Sequence, residues 1–171
     1  WVDNHVAISG AGHVELWDVQ QQEAIRDFYD HQWRAGALSS NGTNFATGGA
    51  DGIVCLFDIR TNRNNRKIQA HHGQVMSLCY SPEGSSLASG SDDCNVCIFN
   101  SKQLVIPHKS PVQALAWMNS SIVVTGDNSH NGTLQSFNIR SNATRQTITG
   151  GPISSICMTE RWGLFVSHND K

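Results

Sequence analysis

Four short β-branched and aromatic runs recur along the chain: VELWDV from Val14, VCLFDI from Val54, VCIFNS from Val96 and LQSFNI from Leu134. Their aromatic residues, Trp17, Phe57, Phe99 and Phe137, stand 40, 42 and 38 residues apart. A period near ~40 residues with a Trp-Asp-like ending marks a propeller repeat. Helical repeats of that length would show apolar residues at i, i+3, i+4 and i+7. Here the runs are short and bounded by Gly, Asn, Asp and Pro, which marks strands and turns.

The rest of each unit fits four antiparallel strands. A strand ending in small residues precedes each aromatic one: FATGGADG, LASGSDDC and VVTGDNSHNG. Before that comes an inner strand opening after His31, His71 or His108. Asp51-Gly52, Asn131-Gly132, Asn41-Gly42 and Glu83-Gly84 supply hairpin turns, because Gly and Asn tolerate the positive φ that such turns require. A single four-stranded unit cannot bury both faces, so neighbours must stack against it.

The expected fold is therefore all-β. It comprises three complete blades, over 31–70, 71–107 and 108–149, with partial blades over 1–30 and 150–171, of a seven-bladed propeller. Residues 1–30 lack most of an inner strand, and ISSICMT and LFVSH supply only two strands of the last unit, so the chain reads as a fragment of a larger propeller.

The run GSDDCNVCIF, from Gly90, poses a chemical question, because two aspartates adjoin a Cys-x-x-Cys. Residues three apart on a strand point to opposite faces, whereas a zinc knuckle needs converging thiolates and a second ligand pair. A redox Cys-x-x-Cys opens a helix, whose dipole lowers the thiol pKa, and no helix is expected here. No metal, cofactor or catalytic residue is expected. Five scattered cysteines do not form a secreted disulfide framework and fit reduced, intracellular thiols. Net charge −2 favours neither nucleic acid nor an acidic solvating tail, and no apolar run is long enough to span a bilayer. The basic run RTNRNNRK lacks interleaved aromatics and reads as a solvated loop. The glycine-rich runs lack phosphate-loop spacing, and no Gly-x-Ser-x-Gly elbow supports a hydrolytic triad.

Beyond the repeats, WDVQQQ, the DIR of GGADGIVCLFDIR, SPEGSSLASGSDD, HKSPVQALAW and SFNIRSN resemble the Fizzy and Fizzy-related family. These are WD40 co-activators of the anaphase-promoting complex ubiquitin ligase. The resemblance implies a non-enzymatic adaptor, active in mitosis or meiosis in nucleus and cytoplasm. Its propeller captures KEN-box and destruction-box degrons, and its partners are ligase subunits, degron-bearing substrates and checkpoint or inhibitor proteins. It also implies that the ligase-docking segment and the destruction-box groove lie outside this chain. A different class is kept beside it: a WD40 scaffold, RNA-associated, that reads no degron.

The WD40 resemblance implies structural networks of His31, Thr47 and Asp51; of His71, Ser89 and Asp93; and of His108, Thr125 and Asn131. The Trp that would donate a fourth bond is replaced by Phe57, Phe99 and Phe137, and Phe has no N–H. The resemblance also places Asp92, Cys94, Ser129 and Pro152 at degron-binding positions. Asp92 and Cys94 stand where the family carries Asn, Ser129 where it carries Thr, and Pro152 where it carries a polar residue. Asp92 can accept from a degron Lys but repels its Glu, so the KEN preference is expected to be reduced or altered. Trp33 and Arg34, of types enriched at binding hot spots, are candidate top-face contacts.

Overall fold

A computed structural model describes residues 5–10, 13–18, 20–28, 31, 35–41, 43–58, 63–159 and 163–168. Every regular element among them is a strand. The first sheet has three strands: β1 (His5–Gly10), β2 (His13–Asp18) and β3 (Glu23–Phe28). Three four-stranded antiparallel sheets follow. They are β4 (Ala35–Ser40), β5 (Asn44–Gly49), β6 (Ile53–Asp58) and β7 (Arg63–Gln69); β8 (Val75–Tyr80), β9 (Leu87–Ser91), β10 (Asn95–Phe99) and β11 (Gln103–Pro107); and β12 (Val112–Asn119), β13 (Ile122–Asp127), β14 (Thr133–Asn138) and β15 (Ala143–Ile148). A hairpin of β16 (Ile153–Thr159) and β17 (Gly163–His168) ends the described chain.

The repeat seen in the sequence is a repeat of register. Trp17 pairs with Val6, Phe57 with Phe45, Phe99 with Leu87 and Phe137 with Val123, so all four aromatics hold the same place in their sheets. The first strands of the three four-stranded sheets and of the last hairpin carry an irregularity near their start: at Ala35/Ala37, Val75/Ser77, Val112/Ala114 and Ile153/Ser155. Such bulges sharpen the local twist of a strand. Gly52, Gly84 and Gly132 adopt φ of 74°, 71° and 55°, the left-handed region in which a Cβ is costly.

The core consists of seams between consecutive sheets. Val14, Leu16 and Phe28 of the first sheet meet Phe45, Cys55 and Phe57 of the second. Phe45 and Phe57 stack at 4.6 Å, and Phe28 stands edge-on to both at 5.0 Å. Ala46 and Val54 meet Val75, Leu78 and Leu87 across the next seam. Val96, Ile98 and Ile106 then meet Val112, Trp117 and Phe137, and Ala114, Ala116 and Val124 meet Ile153 and Ile156. Trp117 Nε1 also donates to the Cys79 carbonyl at 2.9 Å, and the Tyr80 N–H donates to Ser39 Oγ at 2.9 Å, so polar bonds cross the seams as well.

One contact recurs at successive seams. Gly48, Gly90 and Gly126, each within the second strand of its sheet, lie against Val75, Val112 and Ile153, which open the first strand of the next sheet. A Cβ on Gly48 would overlap Val75; on Gly90 it would fall 2.8 Å from Val112 Cγ1, and on Gly126 2.5 Å from Ile153 Cγ2. Val75, Val112 and Ile153 are each 0% exposed, so they have little room to yield. The small residue is therefore a socket for the next sheet's β-branched knob.

Gly90→Ala is expected to destabilise the protein by about 1–3 kcal/mol, as overpacking of a closed core does, measured by urea unfolding. Ser77 Oγ lies beside the same socket, buried and without a hydrogen-bond partner among the described residues. Ser77→Ala is thus expected to be neutral or to stabilise by up to about 1 kcal/mol in the same assay, because it removes an unmet polar group.

Candidate functional site

At one end of the sheets, a His, a hydroxyl and a carboxylate join the incoming chain to the turn between second and third strands. His31 Nδ1 lies 3.2 Å from Asp51 Oδ1, and its Nε2 lies 2.8 Å from Thr47 Oγ1. His71 repeats this, with Nδ1 3.1 Å from Asp93 Oδ2 and Nε2 2.7 Å from Ser89 Oγ. The carboxylates also accept from their own turns: Asp51 from the Ile53 N–H at 3.1 Å and Asp93 from the Asn95 N–H at 2.9 Å.

Burial pushes the His71 ring below its ordinary pKa, against the opposing pull of Asp93 and Asp92. Partial burial pushes the Asp93 carboxyl upward, but the His72 N–H, the His71 ring and the Asn95 N–H outweigh it and hold the group below the usual carboxylate range. The pair is therefore a neutral imidazole on an ionised carboxylate at neutral pH. Nδ1–H donates to Asp93, and Nε2 accepts from the Ser89 hydroxyl.

In the third such sheet, His108 Nε2 meets Thr125 Oγ1 at 3.0 Å, but Asn131 is not the acidic partner's counterpart. Asn131 is exposed, and its backbone carbonyl accepts from Gly150. Asp127 stands by register where Ser91 stands in the sheet before, opposite the first residue of the inner strand, yet it takes over one bond of the missing carboxylate: 1% exposed, it accepts from the Thr133 N–H at 2.9 Å, as Asp51 and Asp93 accept from Ile53 and Asn95. It also accepts from Ser129 Oγ at 2.6 Å. The physical cause is the DNSHNG turn, two residues longer than its siblings, which carries Asn131 outward. Burial holds His108 below its ordinary pKa, against the pull of Asp127.

Asp92, Cys94, Ser129 and Pro152 all lie at this end. Asp92 is exposed, its N–H donates to the Gln74 carbonyl at 3.2 Å, and its carboxylate rests on Gly73. The Asn128 N–H donates to the Pro111 carbonyl at 2.9 Å in the same way, so Asn128 is the structural counterpart of Asp92. The sequence signal for Asp127 and Asn128 was the extra turn length itself. Pro152 immediately precedes β16, as Gln74 and Pro111 precede β8 and β12. The Ser129 hydroxyl is committed to Asp127. Trp33 and Arg34 lie outside the described residues.

Cys94 has φ of 66° and corresponds to Gly52 and Gly132, left-handed residues at the same turn of their own sheets. Its carbonyl accepts from the His108 N–H at 2.8 Å, as the Gly52 and Gly132 carbonyls accept from His71 and Thr149. The conformation is thus a demand of the turn and is imposed on a residue with a Cβ. Cys97 is buried within β10, and its Sγ donates to the Ala70 carbonyl at 3.3 Å on the preceding sheet. Burial, aided by Asp93, pushes its thiol up to about 11, so it stays protonated at neutral pH.

Cys94→Asn is expected to stabilise by about 0.5–1 kcal/mol in urea unfolding, since Asn enters the left-handed region at lower cost. His71 and His108 carry folded pKa values below the unfolded value of about 6.5, so the unfolded chain takes up protons first. Their stabilisation is present above that pH and is lost as pH falls through it. Asp93, also depressed, adds a loss only near and below about pH 4. The unfolding midpoint of the full-length protein is expected to drop from pH 7.5 to 5.5, and His71→Gln is expected to flatten that slope.

The WD domain, G-beta repeat family matches residues 22–58 and 62–100. "Anaphase-promoting complex subunit cdh1" of Dictyostelium discoideum is 36% identical over 92 residues, which cover 52% of this chain and 12% of that protein. "APC/C activator protein CDC20" of Saccharomyces cerevisiae is 30% identical over 95% of this chain and 28% of its own length. "Protein FIZZY-RELATED 1" of Arabidopsis thaliana is 32% identical over 66% of this chain and 25% of its own length. The chain thus spans less than a third of the length of these relatives. A solved chain from "Crystal Structure of Mitotic Checkpoint Complex" superposes with a TM-score of 0.91 at 26% identity, covering 96% of this chain and 56% of that one. Two stretches of the chain thus match WD40 repeats, its sheets superpose on a checkpoint-complex chain, and the curated proteins it resembles include one named as a subunit of the anaphase-promoting complex, one named as its activator and one named as Fizzy-related.

Proposed function

We propose that this chain forms part of a substrate receptor and co-activator of the anaphase-promoting complex. It acts as a non-enzymatic adaptor that presents degron-bearing proteins for ubiquitination in the cell cycle, in nucleus and cytoplasm. The observation that carries this is similarity to named activators along 95% of the chain, together with a TM-score of 0.91 to a checkpoint-complex chain. Ligase subunits, degron-bearing substrates and checkpoint or inhibitor proteins are the corresponding partners.

The degron surface is the end of the propeller bearing Asp92, Cys94, Ser129 and Pro152. Its turns are held by hydrogen bonds from buried or partly buried side chains, so a peptide meets groups that need little ordering. Asp92 offers only acceptors and a negative charge. Cys94 offers a weak thiol, and Ser129 Oγ already donates to Asp127. A Lys suits this surface better than the Glu of a KEN box does. A like charge at ~4 Å with an effective dielectric near 20 opposes binding by several kcal/mol before solvent screening, enough to change affinity by a factor of about ten or more.

Titrating a labelled KEN peptide into the full-length protein tests this reading. Binding is expected to be weak and to strengthen about tenfold in Asp92→Asn with Cys94→Asn. Equal affinity in the two proteins would refute the altered preference. Tagged full-length protein is expected to co-purify with ligase subunits in stoichiometric amounts, and their absence would refute the co-activator role.

A further inference from the structure

The sheet of β12–β15 departs from its two four-stranded siblings at one repeat position. Gln135 pairs with Thr125, where Cys55 pairs with Thr47 and Cys97 with Ser89. Both thiols are small and buried, and the Cys97 bond to Ala70 closes the space toward the preceding sheet. Gln135 is also buried, at 3% exposure, yet it brings a long amide to the same place. Its Oε1 accepts from Gln146 Nε2 at 3.2 Å. The bonds that Gln135 makes among the described residues leave its Nε2 without an acceptor.

The two glutamines are shared by two adjoining clefts. One, of about 270 Å³, opens toward His108, Lys109 and Asp127. The other, of about 410 Å³, runs between β11, at Leu104 and Ile106, and the facing Phe137 and Thr144. Gln135 pairs with Gln146 and Phe137 with Thr144 across β14 and β15, so these four residues share the sheet face that looks toward β11. The joined amides leave Gln135 Nε2 as a donor and Gln146 Oε1 as an acceptor side by side, with further N–H groups to spare. Such a set complements the N–H and C=O of one residue of an extended chain, which point to the same side. The Leu104, Ile106 and Phe137 wall suits an aliphatic side chain. At the mouth near His108, Asp127 is 1% exposed and accepts from Ser129 and Thr133 through Oδ1, while Lys109 is exposed, so the charge that a ligand reaches first there is positive.

We propose that this inter-sheet cleft binds an extended segment of a partner protein, its backbone on the Gln135–Gln146 amide pair. An aliphatic side chain lies against Leu104, Ile106 and Phe137, and an acidic residue lies toward Lys109. The site is separate from the Asp92–Cys94 turn, and its existence does not require that turn to read degrons.

Phage-displayed random dodecapeptides selected on the immobilised full-length protein, then synthesised and titrated by fluorescence anisotropy, test the proposal. The expected enrichment is for peptides with an aliphatic residue a few positions from an acidic one. Gln135→Cys, which restores the sibling residue, and Gln146→Ala are each expected to weaken them tenfold or more. Lys109→Glu is expected to weaken them likewise, and replacing the peptide's acidic residue by Lys is expected to restore binding to that variant. Gln146 is exposed, and a thermal midpoint measured on every variant separates lost binding from lost folding. Failure to enrich such peptides, or equal affinity for the native protein and the three variants, overturns the proposal. Peptides weakened only by Asp92→Ala report the degron turn and overturn it as well.

Discussion

The insertion of a β-branched knob from one sheet into a glycine socket on the preceding sheet is the contact on which the other features rest. It sets the spacing at which successive sheets lie, and the spacing sets which side chains close each seam. Val112 fills the hollow at Gly90, and around that contact Ile98, Trp117, Val123 and Phe137 are excluded from water. None of the sheets could bury both faces alone. Their stability is therefore a property of neighbours, as in other repeat arrays.

The same stacking carries chemistry to one end of the molecule. His31, His71 and His108 precede the inner strands β4, β8 and β12, and each bonds within its own sheet. In two sheets this ties a carboxylate to the incoming chain; in the third, Asp127 anchors a longer turn while His108 bonds Thr125. Rigid backbone at the turn lets Asp92 and Cys94 project as fixed groups, and the Cys94 carbonyl's bond to His108 explains why that turn keeps a left-handed residue even without glycine.

Much of this was legible in the sequence, because it depends on periods and on residue types with narrow conformational roles. The spacing of Trp17, Phe57, Phe99 and Phe137 translated directly into common register. The pairs His31 with Asp51 and His71 with Asp93 came from the WD40 resemblance, and both form here, on turns of equal length. Asn131 could not be placed correctly: an insertion shifts which residue reaches the ladder, and the stronger acceptor, Asp127, was already at the strand end. Gln135 was equally hidden. On a strand, a buried amide and a buried thiol occupy the same slot in an alternating pattern, and only side-chain length distinguishes a sealed seam from a cleft.

The socket itself is open to direct measurement. A double-mutant cycle on Gly90→Ala and Val112→Ala in the full-length protein reads whether the two positions compete for one space. If they do, Val112→Ala vacates the volume that the new methyl needs, and the double variant should be more stable than the sum of the single losses by at least about 1 kcal/mol. Strict additivity would mean that the two side chains do not share a hollow, and the stacking described here would be wrong.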